Sequence, residues 1–321
     1  MLFIYIMNIT EIILKARPTL APSTVGQYVS NLRKLQNMFS TDNFDFLTDV
    51  DEVMAKLQYL HYTSKRNYLN AIIVFLMAHE DGDNHTDIQK YIKVRDEYNE
   101  QYAKEQKTGI ISDKQSPNFT TIEEVYKMIN KMAEELKPIK KKENLSAKEK
   151  QLLQVFILFN IHVRLPLRND LAGAMAINKR EYNKLLDADK KENNYLVIDK
   201  NDMYFILNKY KTSKKYEELK IIVPKDLKKL LRFYLKIHGT GVLFTSSTGN
   251  PLTRNALTQL LTKYSMRYMN KKISTTLLRK IYLSSKYADM NEELEEDNKV
   301  MAHSKDVALA TYIKKPQEEQ V

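Results

Sequence analysis

The chain has 321 residues, of which 43% are hydrophobic and 28% charged, a composition typical of a globular protein large enough for two domains. Its formal net charge of +11 favours a polyanionic partner, with nucleic acid ahead of a membrane surface. Because the chain contains no cysteine, disulfides, thiolate metal sites and thiol nucleophiles are excluded. The apolar opening segment 1–7 has no basic flank or cleavage site and is too short to span a membrane. These features favour an intracellular location, in the cytoplasm or nucleoid or in a host nucleus.

The first third of the chain shows helical periodicity. Val25, Tyr28, Val29, Leu32 and Leu35 recur at helical spacing and predict a helix that begins at Ser23, its expected N-cap. Further helices are predicted after Thr63 or Ser64 and over 87–105.

This pattern defines the expected domain boundaries. We expect an N-terminal extension at 1–17 and a small helical domain at 18–106. Residues 107–117 contain Gly, Ser and Pro without periodicity and predict a linker. A second domain is expected at 118–321.

The second domain is predicted to be helical around one small sheet. Helices are predicted at 121–136, 152–161, 226–236, 253–268 and 275–287, the second of them apolar on nearly all sides and therefore buried. Strands are predicted at 195–198, 203–207 and 219–223, with a turn at 199–202 between the first two. The predicted fold class is α+β, mostly α with a small antiparallel sheet.

Three residues near the end of the chain carry the functional signal. Arg279 lies in the run 275–282, His303 follows 24 residues later, and Tyr312 comes nine residues after His303. Two cationic hydrogen-bond donors ahead of a late tyrosine are what phosphoryl transfer to a phenol oxygen would require. This arrangement resembles the C-terminal signature of tyrosine recombinases and integrases, which are DNA strand-exchange enzymes.

The resemblance implies a role for each of these residues. Tyr312 would be the nucleophile, Arg279 would donate two parallel hydrogen bonds to the scissile phosphate, and His303 would contact the same phosphate or assist proton movement. The family usually has a histidine three residues before this arginine, whereas this chain has Thr276. A threonine hydroxyl can contact a phosphate but is a poorer proton acceptor, so general-base assistance to Tyr312 is in question.

The family's first arginine follows a buried helix and precedes the strands. Arg168 is the preferred match, because it follows the break at Pro166 and Asp170 could orient its guanidinium. The family pattern places the acidic residue three positions after the arginine rather than two, so Arg164 stays a rival.

The family also has a lysine on the turn before its last strand. Residues 209–215 contain four lysines, and Lys211 matches that position best. Its implied role is that of a general acid that protonates the departing 5′ oxygen. The alternative is a charged turn that binds phosphates non-specifically.

The same resemblance implies the partners and excludes a cofactor. We expect a double-stranded DNA partner, a homo-tetramer on paired DNA sites, and no metal, nucleotide or other small-molecule cofactor. The acidic run 289–297 is interpreted as a solvated turn rather than a metal site.

The function implied is cleavage and rejoining of DNA strands at specific sites through a 3′-phosphotyrosyl intermediate, as in the integrase of a virus or other mobile element. A type IB topoisomerase-like or telomere-resolving enzyme would use similar residues. A non-catalytic DNA-binding protein on a degenerate recombinase fold is the alternative that Thr276 motivates.

Overall fold

The computed structural model describes residues 8–78, 85–139, 142, 144–301 and 308. In this part of the chain it forms thirteen α-helices and five β-strands. The residues divide into two compact units, Met1–Ile110 and Ile111–Val321. None of the helices described is both long enough and apolar enough to cross a membrane.

Five helices make up the first unit. They are α1 (Ile9–Ala16), α2 (Pro22–Phe39), α3 (Val50–Leu57), α4 (Tyr62–Met77) and α5 (His85–Lys107). Their apolar faces enclose one core that includes Leu32, Leu69, Ile72 and Tyr91. The buried Tyr91 hydroxyl donates a hydrogen bond of 2.9 Å to the Leu47 carbonyl oxygen, which satisfies its polar group.

The start of α2 corrects one prediction. Ser23 was expected to cap this helix, but the N-cap is Ala21, and Pro22 occupies the first turn. Proline suits that position because its missing N–H would have no helical partner there. The helix therefore begins before Ser23.

The second unit contains the remaining helices. They are α6 (Ile122–Leu136), α7 (Ala147–His162), α8 (Lys179–Tyr182), α9 (Asp187–Lys191), α10 (Ser213–Tyr216), α11 (Lys225–His238), α12 (Arg254–Met269) and α13 (Thr275–Val300). The buried helix predicted at 152–161 is confirmed as α7. A capping box between Ser146 and Glu149 begins it, and its side chains from Leu152 to His162 are buried.

The five strands form a single sheet. They are β1 (Met175–Asn178), β2 (Asn194–Ile198), β3 (Met203–Leu207), β4 (Leu219–Ile222) and β5 (Gly241–Val242), in the order β4-β3-β2-β1-β5. The three predicted strands are confirmed as β2, β3 and β4.

The small antiparallel sheet predicted from these three strands is confirmed, and β1, which was not predicted, extends it by pairing with β2 in parallel. A crossover that contains α8 and α9 returns the chain to the same end of the sheet before β2 begins. The other pairs are antiparallel. The fold is thus mostly helical with one small mixed sheet.

Helix α13 corrects the interpretation of the acidic run. Ser274 begins the helix by accepting a hydrogen bond of 3.2 Å from the Leu277 amide. Leu277, Leu278 and Ile281 are buried in the core of the second unit. The helix then continues as far as Val300, so the acidic run 289–297 is helical and is not a turn.

Candidate active site

Arg168 lies in the turn that leaves the buried helix α7. The helix ends at His162, and a short 3₁₀ turn at Asn169–Leu171 follows Arg168. The Asn169 side chain donates hydrogen bonds to the Arg254 carbonyl oxygen (3.0 Å) and to Thr258 Oγ1 (2.7 Å), both in α12. Arg168 itself is exposed, and its guanidinium has no hydrogen-bond partner among the described residues. The turn is therefore anchored to α12 while the arginine stays available.

Arg279 lies in the second turn of α13, against the same loop. Its Nε donates a hydrogen bond of 3.1 Å to the Pro166 carbonyl oxygen. Within the described chain, Nη1 and Nη2 have no partner. Burial and the positive charge of Arg168 lower the pKa of the Arg279 guanidinium, while Asp170 opposes this shift. One edge of the guanidinium is held by the backbone, and its terminal nitrogens can bind an anion.

A buried carboxylate pairs with a third arginine and is also affected by the charges of these two. Asp170 Oδ1 accepts a hydrogen bond of 3.0 Å from Arg254 Nη2, and the two side chains are 8% and 58% exposed. Burial raises the pKa of the Asp170 carboxyl, although Arg254, Arg168 and Arg279 all oppose the rise. Since one carboxylate faces three guanidiniums, the cluster carries excess positive charge that an anion would neutralise.

Arg254 was missed by sequence reasoning. It is the first residue of α12, and its N-cap Thr253 gives only a helix-start signal. It lies 84 residues from Asp170 in sequence, so no local pattern predicts their ion pair.

Arg164, the rival first arginine, has different surroundings. Its Nε is 2.5 Å from Asp226 Oδ2, and its Nη1 donates hydrogen bonds to the carbonyl and side-chain oxygens of Asn160. A guanidinium with three acceptors has little capacity left for a phosphate. The available arginine in this loop is Arg168.

Lys211 lies in the connection between β3 and β4. Two of the four lysines there have partners: Lys209 Nζ is 3.3 Å from Glu192, and Lys215 Nζ lies 5.1 Å from the centre of the Tyr216 ring. Lys211 is exposed, and neither it nor Lys214 has a side-chain partner in the described part of the chain. Among the described residues, Lys211 makes no direct contact with the arginine cluster.

The structure shows less about the remaining predicted site residues, Thr276, His303 and Tyr312. Thr276 is exposed on α13, one turn before Arg279. His303 and Tyr312 lie outside the described residues. Their roles stay predictions.

His162 is a buried histidine beside the cluster. Its Nδ1 is 2.8 Å from the Leu158 carbonyl oxygen, while its Nε2 is buried without a partner among the described residues. Burial, reinforced by the charge of Arg279, lowers the pKa of this imidazole from 6.5 to about 4. The neutral form, with Nδ1–H donating to Leu158, is therefore the folded form at neutral pH.

This pKa predicts a loss of stability in acid. Between pH 6.5 and about 4 the unfolded chain binds a proton at His162 that the folded chain does not, so stability falls as the pH falls through this window. The free energy of unfolding should be about 2 kcal/mol lower at pH 5 than at pH 7 from this group alone. Urea titrations of the wild type and His162→Leu at both pH values measure the effect. The variant should lose this part of the pH dependence, and equal pH dependence in the two proteins would contradict the prediction.

The described residues contain no group of three or more His, Cys, Asp or Glu side chains placed to hold a metal ion. The cluster that they do form is an arginine cluster around Asp170. Its unpaired guanidinium donors have the chemistry needed to bind an anion.

Comparisons with known proteins give structural likenesses. The XerH site-specific recombinase bound to a palindromic difH substrate, in a post-cleavage complex, has a TM-score of 0.45 and 14% identity, over 91% of this chain and 76% of that chain. A pre-cleavage complex of XerH with a difH substrate has a TM-score of 0.39 and 13% identity, over 96% and 91%. XerA recombinase has a TM-score of 0.35 and 11% identity, over 96% and 94%. No protein-family model and no curated protein matches the sequence. These three solved structures, to which this chain is similar, are recombinases.

Proposed function

We propose that this chain cleaves and rejoins double-stranded DNA at specific sites through a 3′-phosphotyrosyl intermediate, as a tyrosine recombinase. The observation that carries the proposal is the cluster of Arg168, Arg254 and Arg279 around the single carboxylate of Asp170. The cluster has unpaired guanidinium donors and an excess of positive charge, which suit a phosphodiester. A chain with a net charge of +11 supports DNA as the source of that phosphate.

The proposed reaction begins with attack by Tyr312. Its phenol oxygen forms a bond to the scissile phosphorus while its proton passes to His303, and the bond from phosphorus to the 5′ oxygen breaks. Lys211 donates a proton to that leaving oxygen, which gives a free 5′ hydroxyl. Arg168 and Arg279 stabilise the charge that develops on the non-bridging oxygens. Attack by a 5′ hydroxyl from a partner duplex reverses these steps and joins the strands.

The two parts of the chain have separate roles in this proposal. The helical domain at 18–106 binds DNA, the residues 107–117 link the domains, and the residues 118–321 carry the chemistry. Pairing of two DNA sites calls for a homo-tetramer, with integration or excision of a viral or other mobile element as the biological task. The phosphotyrosyl ester conserves the energy of the broken bond, so no nucleotide cofactor is required.

Thr276 favours one second candidate. A threonine is a poorer proton acceptor than the histidine of the family pattern, as expected in a DNA-binding protein that has lost cleavage. Such a protein would bind DNA with strong salt dependence but would not form a covalent bond to it.

A covalent-trapping assay separates these candidates. The purified protein is incubated with a supercoiled plasmid that carries the genomic flanks of its own gene, and the reaction is stopped with SDS. We expect protein-linked DNA, and after digestion with trypsin and nuclease we expect the nucleotide on the peptide 306–314, whose only tyrosine is Tyr312. Salt-sensitive binding without a covalent product would favour the non-catalytic protein, and a nucleotide on another peptide would contradict the assignment of Tyr312.

A further inference from the structure

A buried asparagine connects the two loops that carry candidate catalytic residues. Asn194 is the first residue of β2 and is 6% exposed. Its Nδ2 donates hydrogen bonds to the carbonyl oxygens of Asp170 (2.6 Å) and Lys209 (3.0 Å). Its Oδ1 accepts hydrogen bonds from the amides of Asn208 (2.9 Å) and Lys209 (2.8 Å). Both donors and both lone pairs of the amide are therefore used.

The four backbone groups belong to segments that are distant in sequence. Asp170 follows Arg168 by two residues and lies in the turn that α12 anchors. Lys209 precedes Lys211 by two residues, and both its N–H and its C=O bind Asn194. One side chain thus fixes the entry to the Lys211 loop against the Arg168 turn.

The residue between Lys209 and Lys211 reinforces this connection. The Tyr210 ring is buried in the core of the second unit, and its hydroxyl donates a hydrogen bond of 2.8 Å to the Glu217 carbonyl oxygen. Burial, followed by the neighbouring Tyr216 and the charges of Asp170 and Glu217, raises the pKa of its phenol. The backbone before Lys211 is therefore held on both sides, while the lysine side chain is exposed.

We propose that Asn194 is a positioning residue for Lys211, and that it holds this candidate general acid at the phosphate-binding turn of Arg168. The inference rests on the proposed function for its chemical consequence. An amide is required at this position, because only an amide supplies two donors and an acceptor to the four backbone groups. The isosteric change Asn194→Asp removes both donors and places a carboxylate against two carbonyl oxygens, while Asn194→Ala leaves all four groups unpaired.

Amide hydrogen exchange tests the structural part of the inference on the full chain without DNA. In Asn194→Ala, the amides of Asn208 and Lys209 should exchange about tenfold faster or more, as expected for the loss of a buried hydrogen bond. Asn194→Asp keeps the oxygen that accepts from these two amides, so Asn194→Ala is the deciding variant. The amides within α7 should keep their wild-type protection. Asn178→Ala is the matched control, because the side chain of this exposed asparagine at the end of β1 hydrogen-bonds to no described residue other than Glu181. Unchanged exchange at Asn208 and Lys209 in Asn194→Ala would overturn the inference, whether or not the protein cleaves DNA.

The chemical part is tested with a changed leaving group. The probe is the DNA site identified by the covalent-trapping assay, synthesised with sulfur in place of the bridging 5′ oxygen of the scissile phosphate. A thiolate leaves without being protonated, so cleavage of this DNA does not need a general acid. Asn194→Ala should cleave ordinary DNA more slowly by a factor that approaches the roughly 10²- to 10⁴-fold of general-acid catalysis. It should cleave the sulfur-containing DNA close to the wild-type rate, as should Lys211→Ala.

Failure of the positioning role of Asn194 and failure of the proposed function give different results. Loss of cleavage on both substrates in Asn194→Ala, with wild-type protection of α7, would overturn the positioning of Lys211 and assign Asn194 to the Arg168 turn alone. A wild-type protein that forms no covalent product with either substrate would overturn the proposed function, and Lys211 would then have no leaving group to protonate.

Discussion

Replacement of Tyr312 with phenylalanine is expected to abolish the covalent protein–DNA product, because phenylalanine lacks the oxygen that would bond to phosphorus. Removal of a covalent nucleophile typically costs about 10⁶-fold in rate, which takes the product below detection. DNA binding should stay close to that of the wild type, since a single neutral hydroxyl contributes little to contacts made mainly with phosphates. The measurement is SDS-resistant labelled DNA, together with a binding titration at fixed salt.

Tyr59→Phe provides the matched control for this variant. Tyr59 is 90% exposed in the first unit, so the change removes a tyrosine hydroxyl without disturbing a core. The control should form the product at the wild-type rate. A covalent product that persists in Tyr312→Phe would show that another side chain is the nucleophile.

Replacement of Arg279 with alanine is expected to slow single-turnover cleavage by about 10²- to 10³-fold, the usual cost of removing one donor that stabilises an oxyanion. The physical reason is that the Pro166 carbonyl orients the guanidinium through Nε and leaves Nη1 and Nη2 for two phosphate oxygens. Arg279→Lys keeps the charge but loses the planar pair of donors, so it should recover only a small part of the rate.

Arg232→Ala controls for the loss of one positive charge. Arg232 is exposed on α11, where Nη2 donates a hydrogen bond of 3.0 Å to the Lys200 carbonyl oxygen, a contact of the same kind. The Arg232→Ala variant should show a changed salt dependence of DNA binding and a nearly unchanged cleavage rate. Full activity of Arg279→Lys at saturating protein would show that Arg279 acts as a point charge, and full activity of Arg279→Ala would remove it from the site.

Most helices were predictable because their signals are local. Helix α7 carries a capping box at Ser146 and an apolar run that follows it directly. The residues that pack on one face recur every three or four positions, so a short window contains the evidence. The N-cap error at α2 arose where two local signals competed, since Pro22 and Ser23 are both good helix starts.

The sheet was only partly predictable. Strands β2 and β3 are long apolar runs joined by a tight turn, in which the Asp199 amide donates a hydrogen bond to the Asp202 carbonyl oxygen. Strands β1 and β5 have four and two residues and pair with partners distant in sequence. Their pairing depends on the crossover and on packing against the core, so no local period indicates the parallel pair.

The residue types of the proposed chemistry and their order along the chain could be read from the amino-acid sequence: Arg168, Lys211, Arg279, His303 and Tyr312. It left Arg164 and Arg168 as alternatives, because a pattern of spacing does not show which guanidinium is already paired. The folded structure shows that Arg164 is paired with Asp226 and Asn160, that Arg254 joins the cluster, and that Asn194 connects the Arg168 turn to the Lys209 backbone. The physical reason is that burial, charge and hydrogen bonding act between neighbours in space, and residues such as Asp170 and Arg254 become neighbours only when the chain has folded.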